Sequence, residues 1–243
     1  GAGISDFGHH VTCVDIDENK ISLLKSGKIS IYEPGLPELI KRNVKASRLK
    51  FSTNIIKSII TSDAIFIAVG TPPLKNGEAD ISAVINVAEL IGKHINNYKV
   101  ICTKSTVPIG TGEIIVDIIK ENMNSGIDFD YVSNPEFLRE GSAVKDFLWP
   151  DRVLIGCENN KTYESMLDIY RPLFRNKKPI IKTDISTAEM VKYASNAFLA
   201  LKISYINEIA NLSEVLGCDV KKVADLMGQD GRISPKFLHP GPG

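Results

Sequence analysis

The feature that most constrains this chain is a rhythm of short, β-branched runs that are apolar on both faces, separated by stretches with helical spacing. "VTCVDID" (11–17), "LKFST" (49–53), "AIFIAVG" (64–70), "KVICTKS" (99–105), "YVSN" (131–134), "RVLIGC" (152–157) and "PIIKT" (179–183) read as strands. Residues 80–95 and 112–123 are among the helical stretches between them. A strand apolar on both sides has to be covered on both sides, so the pattern predicts a parallel sheet flanked by helices. Right-handed crossovers then make a doubly wound α/β arrangement the expected architecture.

The rhythm stops after Thr183. Residues 186–216 contain neither Pro nor Gly, Ser186 or Thr187 can cap their start, and Gly217 suits their end. A helix of ~30 residues would run roughly 45 Å at 1.5 Å per residue. Such a length suits a link between domains or a contact with a partner chain. A shorter helix (219–227) and a Gly- and Pro-rich tail follow. The expected division is therefore 1–183 and 184–243, an α/β domain and the start of a helical one.

Composition excludes several classes. With 243 residues, 43% of them hydrophobic, the chain can build one large core, or one core and part of another. Its 29 basic and 29 acidic side chains give no electrostatic case for nucleic acid or an anionic membrane. No apolar run approaches the ~20 residues of a membrane span. Cys13, Cys102, Cys157 and Cys218 are scattered. The first three sit in apolar strand-like runs, where a buried, reduced thiol is the ordinary reading. The expectation is a soluble cytosolic protein.

The opening Gly1-Ala2-Gly3 invites a dinucleotide-binding reading, but that motif needs a preceding strand, a third glycine and an acid about 20 residues on. Nothing precedes Gly1, position 6 holds Asp6, and Asp15 follows Gly1 by only 14 residues. Four residues between Gly3 and Gly8 are too few for a crossover. "GAGISDF" is thus expected to be the tail of a helix that Gly8 ends, with the first strand and the phosphate-cradling loop lying before this chain.

From Phe7 onward the sequence resembles the UDP-glucose 6-dehydrogenase family. The segments "GHHVTCVDID" (8–17), "SGKISIYEPGLPELI" (26–40), "FIAVGTPP" (66–73), "KSTVPIGT" (104–111), "SNPEFLREG" (133–141), "EMVKYASNAFLA" (189–200) and "GRISPKFLHPGPG" (231–243) carry the resemblance. In that family Gly-Ala-Cys at the end of the first helix lies 14 residues before the strand-end aspartate, so Gly1 and Ala2 match and Gly3 stands where Cys is common. The resemblance implies a Rossmann-like domain lacking its first strand and glycine loop, followed by the start of a helical dimerisation domain. It also implies NAD as cofactor, UDP-glucose as substrate and a homodimer joined through 186–217. Related branches that oxidise GDP-mannose or UDP-N-acetylmannosamine remain the alternatives within enzymes. A non-catalytic nucleotide-binding relic is the alternative outside them.

At a strand end, the Asp15 carboxylate can accept both ribose hydroxyls of NAD and repel a 2′-phosphate, although an ordinary strand-end aspartate looks the same. The resemblance puts Lys20 near the adenosine, Thr71 against the NAD and Thr106 at the nicotinamide end of the active site. Without that resemblance, each threonine is an ordinary turn or cap residue. "SNPEFLREG" has no packing rationale in the sequence. Exposed Phe137 and Leu138 suit a sugar-nucleotide surface, and Arg139 suits a diphosphate. By resemblance Glu136 activates water for thioester hydrolysis, and Glu140 sits near NAD and substrate. Lys192 and Asn196, four apart on the long helix, share a face. By spacing alone a solvated Lys and an arbitrary Asn look the same, and it is the resemblance of "EMVKYASNAFLA" to the family that implies an amine and an amide aimed at one oxyanion. Arg232 matches an arginine that reaches the neighbouring subunit's substrate, and Phe237 opens the loop that wraps it. His9, His10 and His239 carry no chemistry in this reading.

Oxidising a primary alcohol to an acid requires the aldehyde to be trapped on a thiolate, through a thiohemiacetal and then a thioester. The family's cysteine, in Gly-Gly-Ser-Cys, is expected about five residues beyond Gly243 by the matched motifs. Cys218 falls at a variable position and is rejected as a substitute. The 243 residues alone are therefore expected to be inactive with UDP-glucose and NAD. Sustained NADH formation by this polypeptide would refute that.

Overall fold

The computed structural model describes residues 1–29 and 31–242; Ser30 and Gly243, the last residue of the expected substrate loop, lie outside the described residues. The order is α1 (Ala2–Asp6), β1 (Val11–Val14), α2 (Glu18–Lys25), α3 (Leu36–Lys45), β2 (Leu49–Ser52), α4 (Ile55–Thr61), β3 (Ala64–Ile67), α5 (Ser82–His94) and β4 (Lys99–Thr103). There follow α6 (Thr111–Asn122), β5 (Phe129–Ser133), α7 (Ala143–Leu148), β6 (Val153–Gly156), α8 (Asn160–Ile169), α9 (Arg171–Arg175), β7 (Ile180–Thr183), α10 (Ile185–Leu216) and α11 (Val220–Gly228). All seven predicted strands form, and the opening glycines lie at the start of α1 rather than in a phosphate loop. Local chemistry sets several boundaries. Asp17, Asn54, Asn159 and Asp219 each accept hydrogen bonds from backbone N–H groups in the first turn that follows them.

Among the described residues β1 pairs in parallel with β2, and a separate five-stranded sheet runs β3-β4-β5-β6-β7. Its pairs are parallel except β5 with β6, which run antiparallel and share the single register pair Ser133↔Gly156. The sequence pattern did not predict this reversal. Its physical consequence is that residues 134–152 need no return crossover, so they stay beside the carboxyl end of β5.

Burial follows the period of two that a covered sheet demands. On β4, Ile101 packs with Val84, Ala88 and Ile91 of α5 and Ile115 and Ile119 of α6. Its neighbours Val100 and Cys102 face the other way, onto Val132, Ile155 and the Met166, Tyr170 and Leu173 layer. Lys99 begins this buried strand, and its ammonium is satisfied by the Ile60 and Ser62 carbonyls at the end of α4 and by Asn97 Oδ1 at 2.7 Å. Burial lowers its pKa. Cys102 and Cys157 are buried as expected, while Cys13 is only half-buried.

The chain divides into two compact units, 1–190 and 191–243, with the boundary inside α10. Ile206, Ala224 and Leu238 form the small core of the second. Among the described residues no helix is long and apolar enough to cross a membrane, and no cluster of ligating side chains could hold a metal ion.

The first turn of α10 crosses β6 at Gly156. A Cβ there would lie 2.6 Å from Ala188 Cβ and 2.9 Å from the Asp184 carbonyl oxygen. Backbone cannot yield as a flexible side chain can, so Gly156→Ala should destabilise the fold by about 1–3 kcal/mol. Urea denaturation measures this, and a midpoint equal to wild type would contradict the close packing.

Candidate active site

Parallel sheets bind ligands beyond the carboxyl ends of their strands, and many of the predicted site residues in the first unit fall there. Asp15 follows β1 directly. It accepts the Asp17 N–H at 3.1 Å and is ion-paired with Lys20, which lies in the first turn of α2. The Lys20 hydrogen bond is the largest influence holding the Asp15 carboxyl below its ordinary pKa. Both side chains are partly exposed, so the pair stabilises the fold little. Its effect is to keep Asp15 charged and oriented.

Thr71 and Thr106 are brought together, because Thr71 Oγ1 donates to the Thr106 carbonyl at 2.8 Å. Ser105 Oγ donates to the Val69 carbonyl at 2.6 Å and the Ser105 N–H to the Ile67 carbonyl at 3.2 Å, zipping the two turns side by side. Between them Gly70 faces open space, with nothing within 4 Å of where a Cβ would sit.

At the end of β5, packing explains the first part of "SNPEF", contrary to the sequence reading. Asn134 is fully buried. Its Oδ1 accepts from Tyr170 Oη at 2.6 Å and Lys104 Nζ at 3.2 Å, and its Nδ2 donates to the Leu154 carbonyl at 2.7 Å. The residues after it turn outward. Glu136 is half-buried and accepts the Leu138 N–H through Oε2. Phe137 is not bare, since the Arg152 guanidinium lies 4.1 Å from its ring centroid. Leu138 and Glu140 are exposed. Arg139, read as a diphosphate ligand, is paired here with Asp146, with Nη2–Oδ1 at 2.6 Å and Nε–Oδ2 at 2.9 Å. Any phosphate would have to compete with that carboxylate.

Sequence reasoning missed Glu189. This acid in the first turns of α10 is 2% exposed. Its two oxygens accept the Gly110 N–H at 2.7 Å and the Gly112 N–H at 2.8 Å, which open α6. It serves α6 as a cap delivered from 77 residues away, four residues past Thr106. Burial raises its pKa against the opposing pull of those two N–H groups. Spacing could have flagged it, because Ile185, Ala188, Glu189 and Lys192 form one helical stripe and Ala188 and Lys192 are buried.

The remaining predicted residues lie in the second unit. Lys192 is buried and Asn196 exposed on α10. Arg232 is exposed and held to Asp230 at 2.6 Å. Phe237 adopts a left-handed backbone (φ 63°), uncommon for a bulky residue, directly before buried Leu238. Burial pushes the Cys102 thiol up to about 12 and raises Cys157 as well, so neither supplies a thiolate, while Cys218 is exposed just past α10.

Comparison with known proteins gives this geometry a context. Residues 1–174 match the NAD binding domain of the UDP-glucose/GDP-mannose dehydrogenase family, and residues 186–243 match its central domain. The chain is 50% identical over its whole length to UDP-glucose 6-dehydrogenase of Rhizobium meliloti (strain 1021), covering 56% of that protein. It is equally similar to UDP-glucose 6-dehydrogenase TuaD of Bacillus subtilis (strain 168), covering 52% of it. The structure of a UDP-glucose dehydrogenase from Pyrobaculum islandicum superposes with TM-score 0.94 at 39% identity, over all of this chain and 56% of that one. A ternary complex of GDP-mannose dehydrogenase from Pseudomonas aeruginosa gives 0.89 at 36%, over 99% and 56%. The chain thus spans about half the length of the relatives it matches.

Glu189 generates a test of its own. Between the ordinary value of 4.5 and its raised folded value, the native side chain keeps a proton that the unfolded chain has released. Its contribution to stability therefore falls as pH rises through that window. Glu189→Gln should remove this pH dependence and, by setting an amide NH2 against a backbone N–H, cost about 1–3 kcal/mol. Urea denaturation of both forms at about pH 4.5 and about pH 7 checks it. An unchanged pH dependence in the variant would refute the assignment.

Proposed function

This chain belongs to the UDP-glucose/GDP-mannose dehydrogenase family, and from that premise we propose that the protein oxidises UDP-glucose to UDP-glucuronate with NAD. The observation that carries the reading is the zipped pair of turns at Thr71 and Thr106 after the neighbouring strands β3 and β4, with the Glu136 loop following β5, the next strand of the same sheet. The donor set suits the cofactor: an ionised acid after β1, hydroxyls after β3 and β4, and open space beside Gly70. When bound, NAD accepts hydride, twice for each alcohol taken to an acid.

The chain's own residues do the rest. Asp15, held by Lys20, accepts the adenosine ribose hydroxyls and repels a 2′-phosphate, which favours NAD over its phosphorylated form. Thr71 and Thr106 fix the nicotinamide end, and Glu140 lies near both cofactor and substrate. Glu136 takes a proton from the water that releases the acid. Lys192 and Asn196 donate to the oxygen that gains negative charge when the substrate carbon becomes tetrahedral. Phe137, Leu138, Arg139 and Phe237 line the sugar nucleotide, and Arg232 reaches that of the neighbouring subunit. The covalent step belongs to the cysteine that the resemblance places after residue 243.

The homodimer is proposed through α10, where Phe198, Leu201, Tyr205 and Leu212 are 48–62% exposed at helical spacing. Phe198→Glu with Leu201→Glu should convert a dimer to a monomer in size-exclusion chromatography with light scattering.

The full-length protein should form two NADH per UDP-glucose. GDP-mannose and UDP-N-acetylmannosamine should be poor substrates, and the 2′-phosphorylated cofactor a poor acceptor. Glu136→Gln should lower kcat by about 10²–10⁴-fold. Preferred turnover of another nucleotide sugar would move the protein to a sibling branch.

A further inference from the structure

We propose that Glu33 is a positioning residue for the 136–144 loop and, through that loop, for Glu136. The catalytic half of this inference rests on the function proposed above. Glu33 is a buried acid, 8% exposed, in a stretch whose neighbours Tyr32 and Pro34 are exposed. Carboxylates are seldom buried without compensation. Here Oε2 accepts the Gly141 N–H at 2.9 Å and Oε1 the Val144 N–H at 3.4 Å, across 108 and 111 residues of sequence.

Three further observations make this a clamp on the loop. Gly141 has φ +76°, a backbone turn that L side chains rarely adopt, and its N–H is the nearer of the two that reach Glu33. The turn after Glu33 packs on the same element, since a Cβ on Gly35 would lie 3.8 Å from Val144 Cγ1. The loop is also tied to α7, where Asp146 accepts the Arg139 N–H at 3.0 Å together with its guanidinium. Glu136 thus sits on a short segment held at Arg139 by α7 and at Gly141 and Val144 by Glu33. Misplacing a catalytic group by about 1 Å can cost roughly 10²-fold in rate, so the clamp matters to turnover more than to folding.

The test uses the full-length protein with four variants: Glu33→Ala, Glu33→Gln, Glu136→Gln, and Glu33→Ala combined with Glu136→Gln. Glu33→Ala should lower kcat with UDP-glucose by roughly 10- to 100-fold. Glu33→Gln, which keeps one oxygen for the Gly141 N–H, should recover much of the loss. In the Glu136→Gln background the added Glu33→Ala should change kcat by less than about two-fold, because the group it positions is already gone. Losses that multiply would show that Glu33 acts through general stability and would overturn the proposal. Amide hydrogen exchange separates this inference from the functional reading. In Glu33→Ala the Gly141 and Val144 amides should exchange at least about ten-fold faster while Ile101 is unchanged. If wild-type protein does not oxidise UDP-glucose, the functional reading fails and exchange alone decides the clamp. Unaltered exchange at Gly141 and Val144 overturns it whatever the activity.

Discussion

The side-chain amide of Asn134 occupies the point where the sheet changes direction, and both the half-sheet beyond it and the loop that follows β5 depend on how it is satisfied. β5 and β6 share one register pair, so the ladder alone joins them weakly. Asn134 extends that junction by donating to the Leu154 carbonyl, while its oxygen gathers the Tyr170 hydroxyl and the Lys104 ammonium from the neighbouring layers. A buried amide whose donors and acceptors are all met rigidifies its surroundings, whereas one left partly unmet is costly. Pro135 and Glu136 follow at once, so the loop that carries the proposed base leaves from a buried, fully hydrogen-bonded anchor.

Several turns of the first unit share one device, a carboxylate accepting backbone N–H groups that the turn geometry would otherwise leave unpaired. Asp17 serves the start of α2, Asp146 the Arg139 N–H, Glu33 the Gly141 and Val144 amides, and Glu189 the start of α6. Asp146 also meets a cation, the Arg139 guanidinium. Fixed N–H groups cannot rotate away as a lysine can, so each loop is held in one arrangement before any ligand arrives. Such preorganisation is what a site needs if binding energy is to be spent on chemistry rather than on ordering loops.

The strands and the long helix were legible because burial on two faces leaves a periodic trace in the sequence. The reversed β6 was not, since an apolar run reads the same in either direction. The placement of Asp15, Thr71 and Thr106 after the ends of strands was legible from the apolar runs that precede them. The packing role of Asn134 has no trace in the sequence because its partners, Tyr170 and Leu154, are 36 and 20 residues away and carry no local signature. Glu33 and Glu189 escaped for a related reason: their partners are backbone amides, which every residue but proline possesses. Only the helical stripe through Ala188 and Lys192 hinted that Glu189 faces inward.

The glycine at position 112 and the carboxylate that reaches it form a single unit. A Cβ at Gly112 would meet Ile185 at 2.7 Å, Tyr131 at 2.8 Å and the Glu189 oxygen at 3.1 Å. The β4–α6 turn and the opening of the long helix therefore cannot be exchanged independently between related sequences. A chimera with its crossover between residues 112 and 189 would inherit one half of a lock without its key, whereas one cut outside that interval would keep the pair intact.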